Sequence, residues 1–265
     1  MKAFFITIPH SGERIPAETP WLHGLPEPIV MSDVDRYVDR LYQPVIQELK
    51  IPYVKAEWHR YVVDLNRLPD DIDVDSVIGS KNPSGKFTRG IHWVKTMNEA
   101  RLMPEPITPE LHDQLVAKYF EPFHVDVRAI YQKYFKQGAK KVYHLDAHSM
   151  PSVGTKAHRD PGERRADVVV SDWEDKSCEP SYLKLVCEAY ASTGLKVAVN
   201  WPYVGGRVTE TYGKPELGQH AVQVELNRAL YMDEVSKKIL PDQAEALSKK
   251  ISAAIRYIYE RLPEA

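Results

Sequence analysis

KKVYHLDAH (140–148) is a short apolar run that ends in polar residues, which predicts a β-strand delivering chemistry at its C-terminal end. Alternate side chains of a strand share a face, so His144, Asp146 and His148 would be presented together. Packing alone explains such a grouping poorly. Unpaired buried polar groups are costly, whereas a bound cation needs imidazoles and nearby carboxylates to orient them. These residues leave one alternative open, a structural hydrogen-bonded pair between Asp146 and one of the histidines.

Outward from this strand, short apolar runs alternate with longer helical patterns, the signature of an α/β domain. Before it, AFFITI (3–8) predicts a buried strand and VDRYVDRLYQPVIQEL (34–49) an amphipathic helix. YVKAE (53–57) and RYVVDL (60–65) predict two further strands. From Asp70 to about Pro106, Gly, Pro, Ser and charged residues predict a long surface excursion. Thr108-Pro109-Glu110 supplies an N-cap, a first-turn proline and an early acid for a helix running to about Phe135.

After 140–148, an irregular stretch (149–166) leads to the strand ADVVVS (166–171), a helix near 181–193 and a strand at 195–199. The loop VGGRVTETYGKPELG (204–218) follows, then the strand AVQVEL (221–226) and one or two closing helices between about 233 and 261. In open α/β sheets, ligands sit beyond strand C-termini, so those ends are where function is sought.

A chain of 265 residues, 43% hydrophobic and 27% charged, can bury one sizeable core. With no Ser/Gly-rich linker or internal repeat, one domain spanning 1–265 is expected. A net charge of −2 and pI near 6.6 argue against a nucleic-acid partner and leave a small-molecule ligand as the expectation. The apolar N-terminal run is too short to span a membrane and lacks a small-residue cleavage site, so no membrane association is expected. Cys178 and Cys187 are the only cysteines, which fits a reducing cytoplasm and rules out a thiolate zinc cage of the structural type.

Three further places carry candidate chemistry. His10 and Glu13, three apart after the first strand, could converge on one metal if the chain turned helical there; a turn histidine beside a solvated glutamate is the plainer reading. Arg60 to Arg67 gathers two guanidinium groups and the Asn66 amide, a set suited to an acidic substrate, or a strand flanked by solvated arginines, one of them paired with Asp64. Glu225 lies inside an apolar strand, where burial would raise its pKa and suit it to general-base work; a solvent-facing strand face is the alternative.

The segments PHSGERIP (9–16), SDVDRYVDRLY (32–42), RYVVDLNR (60–67), HLDAHSMPS (144–152), GGRVTETYG (205–213) and QVELNRALYMDE (223–234) resemble, in order and over nearly the whole chain, the N-formylglutamate amidohydrolase family. The resemblance implies a single three-layer αβα domain with a mixed central sheet, similar to zinc carboxypeptidases and aspartoacylase. It implies one catalytic Zn2+ held by His10 and His148, with Asp35 or Glu13 as third ligand. Arg60 would polarise the scissile carbonyl, Asn66 and Arg67 would anchor a substrate carboxylate, and Glu225 would be the general base. The family pattern carries an arginine shortly before Tyr-Gly in the Gly-Gly loop; here that place is Glu210, and Arg207 stands earlier as the substrate-binding candidate.

The implied activity is removal of an N-formyl or other small N-acyl group from an acidic amino acid. A related deacylase or carboxypeptidase of different substrate, or a catalytically silent metal-binding relative, is the rival. A homo-oligomer is compatible with the sequence.

Overall fold

The computed structural model describes residues 2–73, 75–81 and 89–264. Six strands form one mixed sheet: β1 (Phe4–Ile8), β2 (Tyr53–Lys55), β3 (Val142–Met150), β4 (Val168–Ser171), β5 (Val197–Val199) and β6 (Gln219–Asn227). Their spatial order is β2-β1-β3-β6-β4-β5, parallel at every pairing except β4 against β6. The helices are α1 (Glu27–Val30), α2 (Val38–Leu49), α3 (Pro109–Leu115), α4 (Glu121–Lys136), α5 (Pro180–Ala191), α6 (Arg207–Tyr212) and α7 (Pro241–Arg261).

Strand alternation sorts the core into two layers. Phe4, Ile6 and Ile8 of β1, Tyr143, Leu145 and Ala147 of β3, and Val222, Val224 and Leu226 of β6 pack against α2, α5 and α7. The opposite face begins apolar, with Phe5 and Val142 against Leu115, Phe120, Phe123 and Val127 of the α3–α4 arm. Further along it turns polar. Thr7, His144, Asp146, His148, Gln223 and Glu225 occupy the positions that alternate with the apolar set, and all are buried. Asp146 lies beside Gln223 and His148 beside Glu225 across the parallel β3–β6 ladder. One residue of register slip would send this polar set into the apolar layer, so the pattern fixes the register as well as the face.

Several expected elements differ. RYVVDL (60–65) is not a strand: the chain turns, with Val62 N–H donating to His59 O at 2.9 Å and Arg67 N–H to Asp64 O at 3.2 Å. Tyr61, Val62 and Val63 are still buried, so tertiary packing overrides their β-propensity. The helix expected from 34 starts at Val38, because Asp35 N–H donates to His10 O at 3.0 Å and Tyr37 takes a left-handed φ of 69°. That diversion holds Asp35 beside the end of β1.

The helix from Thr108 is capped as expected, Thr108 Oγ1 accepting from Leu111 N–H at 3.2 Å. It widens into a π-helical turn at Val116–Phe120, where Glu121 N–H reaches Val116 O, before continuing as α4. Pro122 accounts for the widening, since it cannot donate to the carbonyl four residues back and its ring crowds it.

The excursion 70–106 carries only isolated bridges among its described residues; 74 and 82–88 lie outside them. It is not merely superficial. Ile91, Trp93, Val94, Leu102 and Met103 join the second core layer. The glycine loop contains α6, and a 3-10 turn (Arg228–Leu230) precedes a single closing helix, α7.

Candidate active site

The C-terminal ends of β1, β3 and β6 open into a cavity of about 510 Å³, whose wall includes His10, Asp35, His148 and Glu225. His10, Asp35 and His148 offer ligand atoms that all lie within 4.8 Å of one another, and each residue is at most 2% exposed. His148 Nδ1 is 3.0 Å and His10 Nδ1 3.6 Å from the same oxygen, Asp35 Oδ2.

Each imidazole is oriented from behind. His10 Nε2 meets Asp64 Oδ1 at 2.7 Å and His148 Nε2 meets Asp146 Oδ2 at 2.8 Å. An imidazole that donates one N–H to a carboxylate turns its other nitrogen, unprotonated, toward a metal. Asp35 is oriented in turn, its Oδ1 accepting from Arg228 Nη2 at 2.9 Å and from Ser149 Oγ at 3.3 Å, which leaves Oδ2 facing the imidazoles.

The supporting network runs deeper. Thr7 Oγ1 donates to Asp146 Oδ1 at 2.6 Å and lies 2.6 Å from His144 Nε2. With the threonine proton committed to Asp146, His144 donates from Nε2, and its Nδ1 accepts from Tyr131 OH at 3.2 Å. Burial pushes His144 down to about 4, so the ring is neutral, as this pattern needs. On the other side, Asp64 Oδ2 accepts from Arg60 Nη2 at 2.8 Å and from Trp93 Nε1 at 2.9 Å.

These groups create a field that favours positive charge. Burial alone would raise Asp35 and Asp64, yet the hydrogen bonds and charges of their neighbours, His10 and His148 for the first and Arg60, His10 and Arg67 for the second, hold both well below the carboxylate range. Burial would lower His148, but Asp146 and Asp35 hold it well above its ordinary value. A proton and a divalent ion compete for such a place. The donor set, two imidazole nitrogens and one carboxylate oxygen with anchored partners, fits a divalent metal of the zinc type.

Glu225 faces the same cavity and is 6% exposed. Burial pushes its carboxyl up to about 7, against the opposing charge of His148. Gln223 Nε2 donates to Glu225 Oε1 at 2.9 Å. Arg60 lines the cavity, and among the described residues its buried Nε–H has no hydrogen-bond partner. Asn66 and Arg67 line it too. The Asn66 amide is fixed by Val208 N–H, which donates to its Oδ1 at 2.8 Å.

Gly206 packs directly on that amide: a Cβ there would stand 2.1 Å from Asn66 Nδ2. Gly206→Ala is therefore expected to displace Asn66, lower stability by about 1–3 kcal/mol and raise KM. Gly24→Ala, where an added Cβ meets nothing within 4 Å, is the matched control. Thermal melting of the two variants, followed by substrate titration, checks this.

Two expected residues are placed elsewhere. Glu13 pairs with Arg36, Nε to Oε1 at 2.9 Å, because residues 10–13 do not turn into a helix and its side chain leaves the site. Arg207 makes two contacts to Asp71, at 2.8 and 2.6 Å, pairs with Glu210 and does not line the cavity. Three residues escaped the sequence reading in their present capacity: Asp64 behind His10, Trp93 on Asp64, and Arg228 on Asp35. Only Asp64 gave a local signal, as an acid between Arg60 and Arg67.

Fold and site together define a class: a three-layer α/β domain with a buried histidine–aspartate–histidine candidate metal centre on the wall of an arginine-lined cavity. Residues 2–232 match the family model of N-formylglutamate amidohydrolase, and the chain belongs to that family. It is 32% identical to an N-formylglutamate deformylase of Pseudomonas aeruginosa, over 97% of this chain and 91% of that protein. An N-formylglutamate deformylase of Pseudomonas putida is 29% identical, over 86% of this chain and 81% of that one. The crystal structure of N-formylglutamate amidohydrolase from Ralstonia eutropha JMP134 superposes with a TM-score of 0.86 at 25% identity, covering 98% of this chain and 94% of that one.

Proposed function

We propose that the protein is a zinc-dependent deformylase that hydrolyses N-formyl-L-glutamate to formate and L-glutamate. The observation that carries this reading is the pair of imidazoles turned, Nδ1 first, onto one oxygen of Asp35 in a cavity shared with Glu225, in a chain of this family. His10, Asp35 and His148 would hold the ion. When bound, zinc supplies a Lewis acid and lowers the pKa of water toward about 7.

The chain's own groups do the rest. Glu225 takes the proton of the attacking water and returns it to the departing nitrogen, a shuttle suited to a carboxyl that burial brings near neutrality. The guanidinium of Arg60, on the cavity wall, supplies positive charge for the negative charge that grows on the formyl oxygen. Asn66 and Arg67 hold a carboxylate of the substrate, the guanidinium supplying charge and the amide a donor of fixed position. The C–N bond breaks as water's oxygen joins the formyl carbon; that oxygen ends on formate, and both water protons end on the nitrogen, which leaves as the ammonium of L-glutamate.

The test is turnover of N-formyl-L-glutamate, N-acetyl-L-aspartate and short peptides by zinc-loaded protein, with metal content measured in the same preparation. Formate release from the first, faster than turnover of the others, is expected. Zinc-loaded protein inert toward N-formylglutamate would overturn the reading.

A further inference from the structure

A substrate with two carboxylates brings a second negative charge into the cavity, and leaving it without a cation would cost more than the binding gains. The cationic side chains on the wall are Arg60, Arg67, Arg159, Lys176 and Arg228. Arg60 is held by Asp64 and by Asp33 O, and Arg228 by Asp35. Arg67 donates to Arg89 O at 2.6 Å and Asn66 O at 2.7 Å, beside the amide assigned above to one carboxylate. Arg207, the sequence candidate for the other, is on Asp71 and Glu210.

Arg159 differs from all of these. Among the described residues its guanidinium has no carboxylate within ion-pair distance and no hydrogen-bond partner; it lies over the face of Trp201, 5.2 Å from the ring centroid. Stacking on an aromatic face leaves the N–H edge of a guanidinium available to a carboxylate and restrains the long side chain beforehand. The segment beneath it is rigidly built. Asp160 and Arg165, side chains 1% exposed, pair through contacts of 2.7 and 2.8 Å, and Arg165 Nη1 donates to Tyr203 OH at 3.0 Å. Gly154 closes the loop against Asp160, whose carbonyl oxygen lies 1.9 Å from where a Cβ would stand. A buried ion pair next in sequence to an exposed, unpaired arginine fixes where that arginine can reach. Lys176, the other candidate, is 66% exposed and lies 4.0 Å from Glu174.

We infer that Arg159 is the specificity-determining residue for the side-chain carboxylate, the group that separates an acidic N-formyl amino acid from a neutral one. This rests on the proposed deformylase function. Kinetics on N-formyl-L-glutamate and N-formyl-L-glutamine, equal in length and different in charge, test it with zinc-loaded wild type, Arg159→Met, Arg159→Lys and Lys176→Met. Arg159→Met is expected to raise KM for the glutamate substrate by about 10- to 100-fold, the worth of a charge-assisted hydrogen bond, with kcat little changed. KM for the glutamine substrate should stay within about twofold, Arg159→Lys should recover part of the loss, and Lys176→Met should cost less than about threefold.

An Arg159→Met variant that keeps the wild-type preference, or loses both substrates equally, overturns the inference and leaves the deformylase function standing. So does a wild type that turns over both substrates alike, or a Lys176→Met variant that takes the larger loss. A wild type inert toward both overturns inference and function together.

Discussion

His148→Gln is expected to yield protein without stoichiometric divalent metal and with kcat/KM reduced about a thousandfold or more. The magnitude follows from position. Loss of a residue that orients a ligand typically costs 10- to 100-fold in metal affinity, and His148 would supply a donor atom itself. Its Nδ1 is 3.0 Å from Asp35 and its Nε2 2.8 Å from Asp146, so the substitution also leaves two buried carboxylates short of a partner. Stability should therefore fall as well. His10→Gln, which disturbs Asp64 rather than Asp146, is the companion variant that separates metal loss from misfolding. Metal analysis and circular dichroism on both are the measurement. Full metal content together with normal turnover in either folded variant would remove that histidine from the centre.

Glu225→Gln should behave in the opposite sense toward the metal. The change keeps shape and the neighbouring Gln223 contact while removing a group able to take a proton. Turnover is expected to drop by about 10²- to 10⁴-fold, the usual contribution of a positioned general base, with KM nearly constant and metal fully retained. The Glu225 carboxylate adds to the field on His148, but Asp146 and Asp35 act on that ring more strongly, so the cation cradle survives the change. A Glu225→Gln variant holding metal and turning over at the wild-type rate would leave the proton shuttle to another group. The two variants form a pair: one loses the ion and hence the chemistry, the other only the chemistry.

Much of the candidate site could be seen from residue spacing. Alternation alone placed His144, Asp146 and His148 on one face, and the structure adds the hydrogen bonds along it: Asp146 backs His148, and His144 holds Thr7. Glu225 could be read as a carboxylate in an apolar strand, but its meeting with His148 required the β3–β6 register. The segment 60–67 shows the limit. Its composition suits a strand, and the chain turns there instead, because turning brings Arg60 and Asp64 onto the same side, 2.8 Å apart.

Apart from the strand expected at 60–65, the amino-acid sequence by itself determined the order of strands and main helices, the apolar layer of the sheet and the set of residue types at the ends of β1, β3 and β6. These follow from periodicities of two and 3.6 residues, which are written among near neighbours. Only the tertiary structure decided which carboxylate faces the imidazoles, Asp35 rather than Glu13, and which arginine lines the cavity with no acidic partner among the described residues, Arg159 rather than Arg207. Glu13 and Asp35 are alike in local chemistry, as are the two arginines. What separates them is the partner each finds across the fold: Arg36 for Glu13, His148 for Asp35, Asp71 for Arg207. Such pairings join segments distant along the chain, so their geometry exists only once the loops between them have closed.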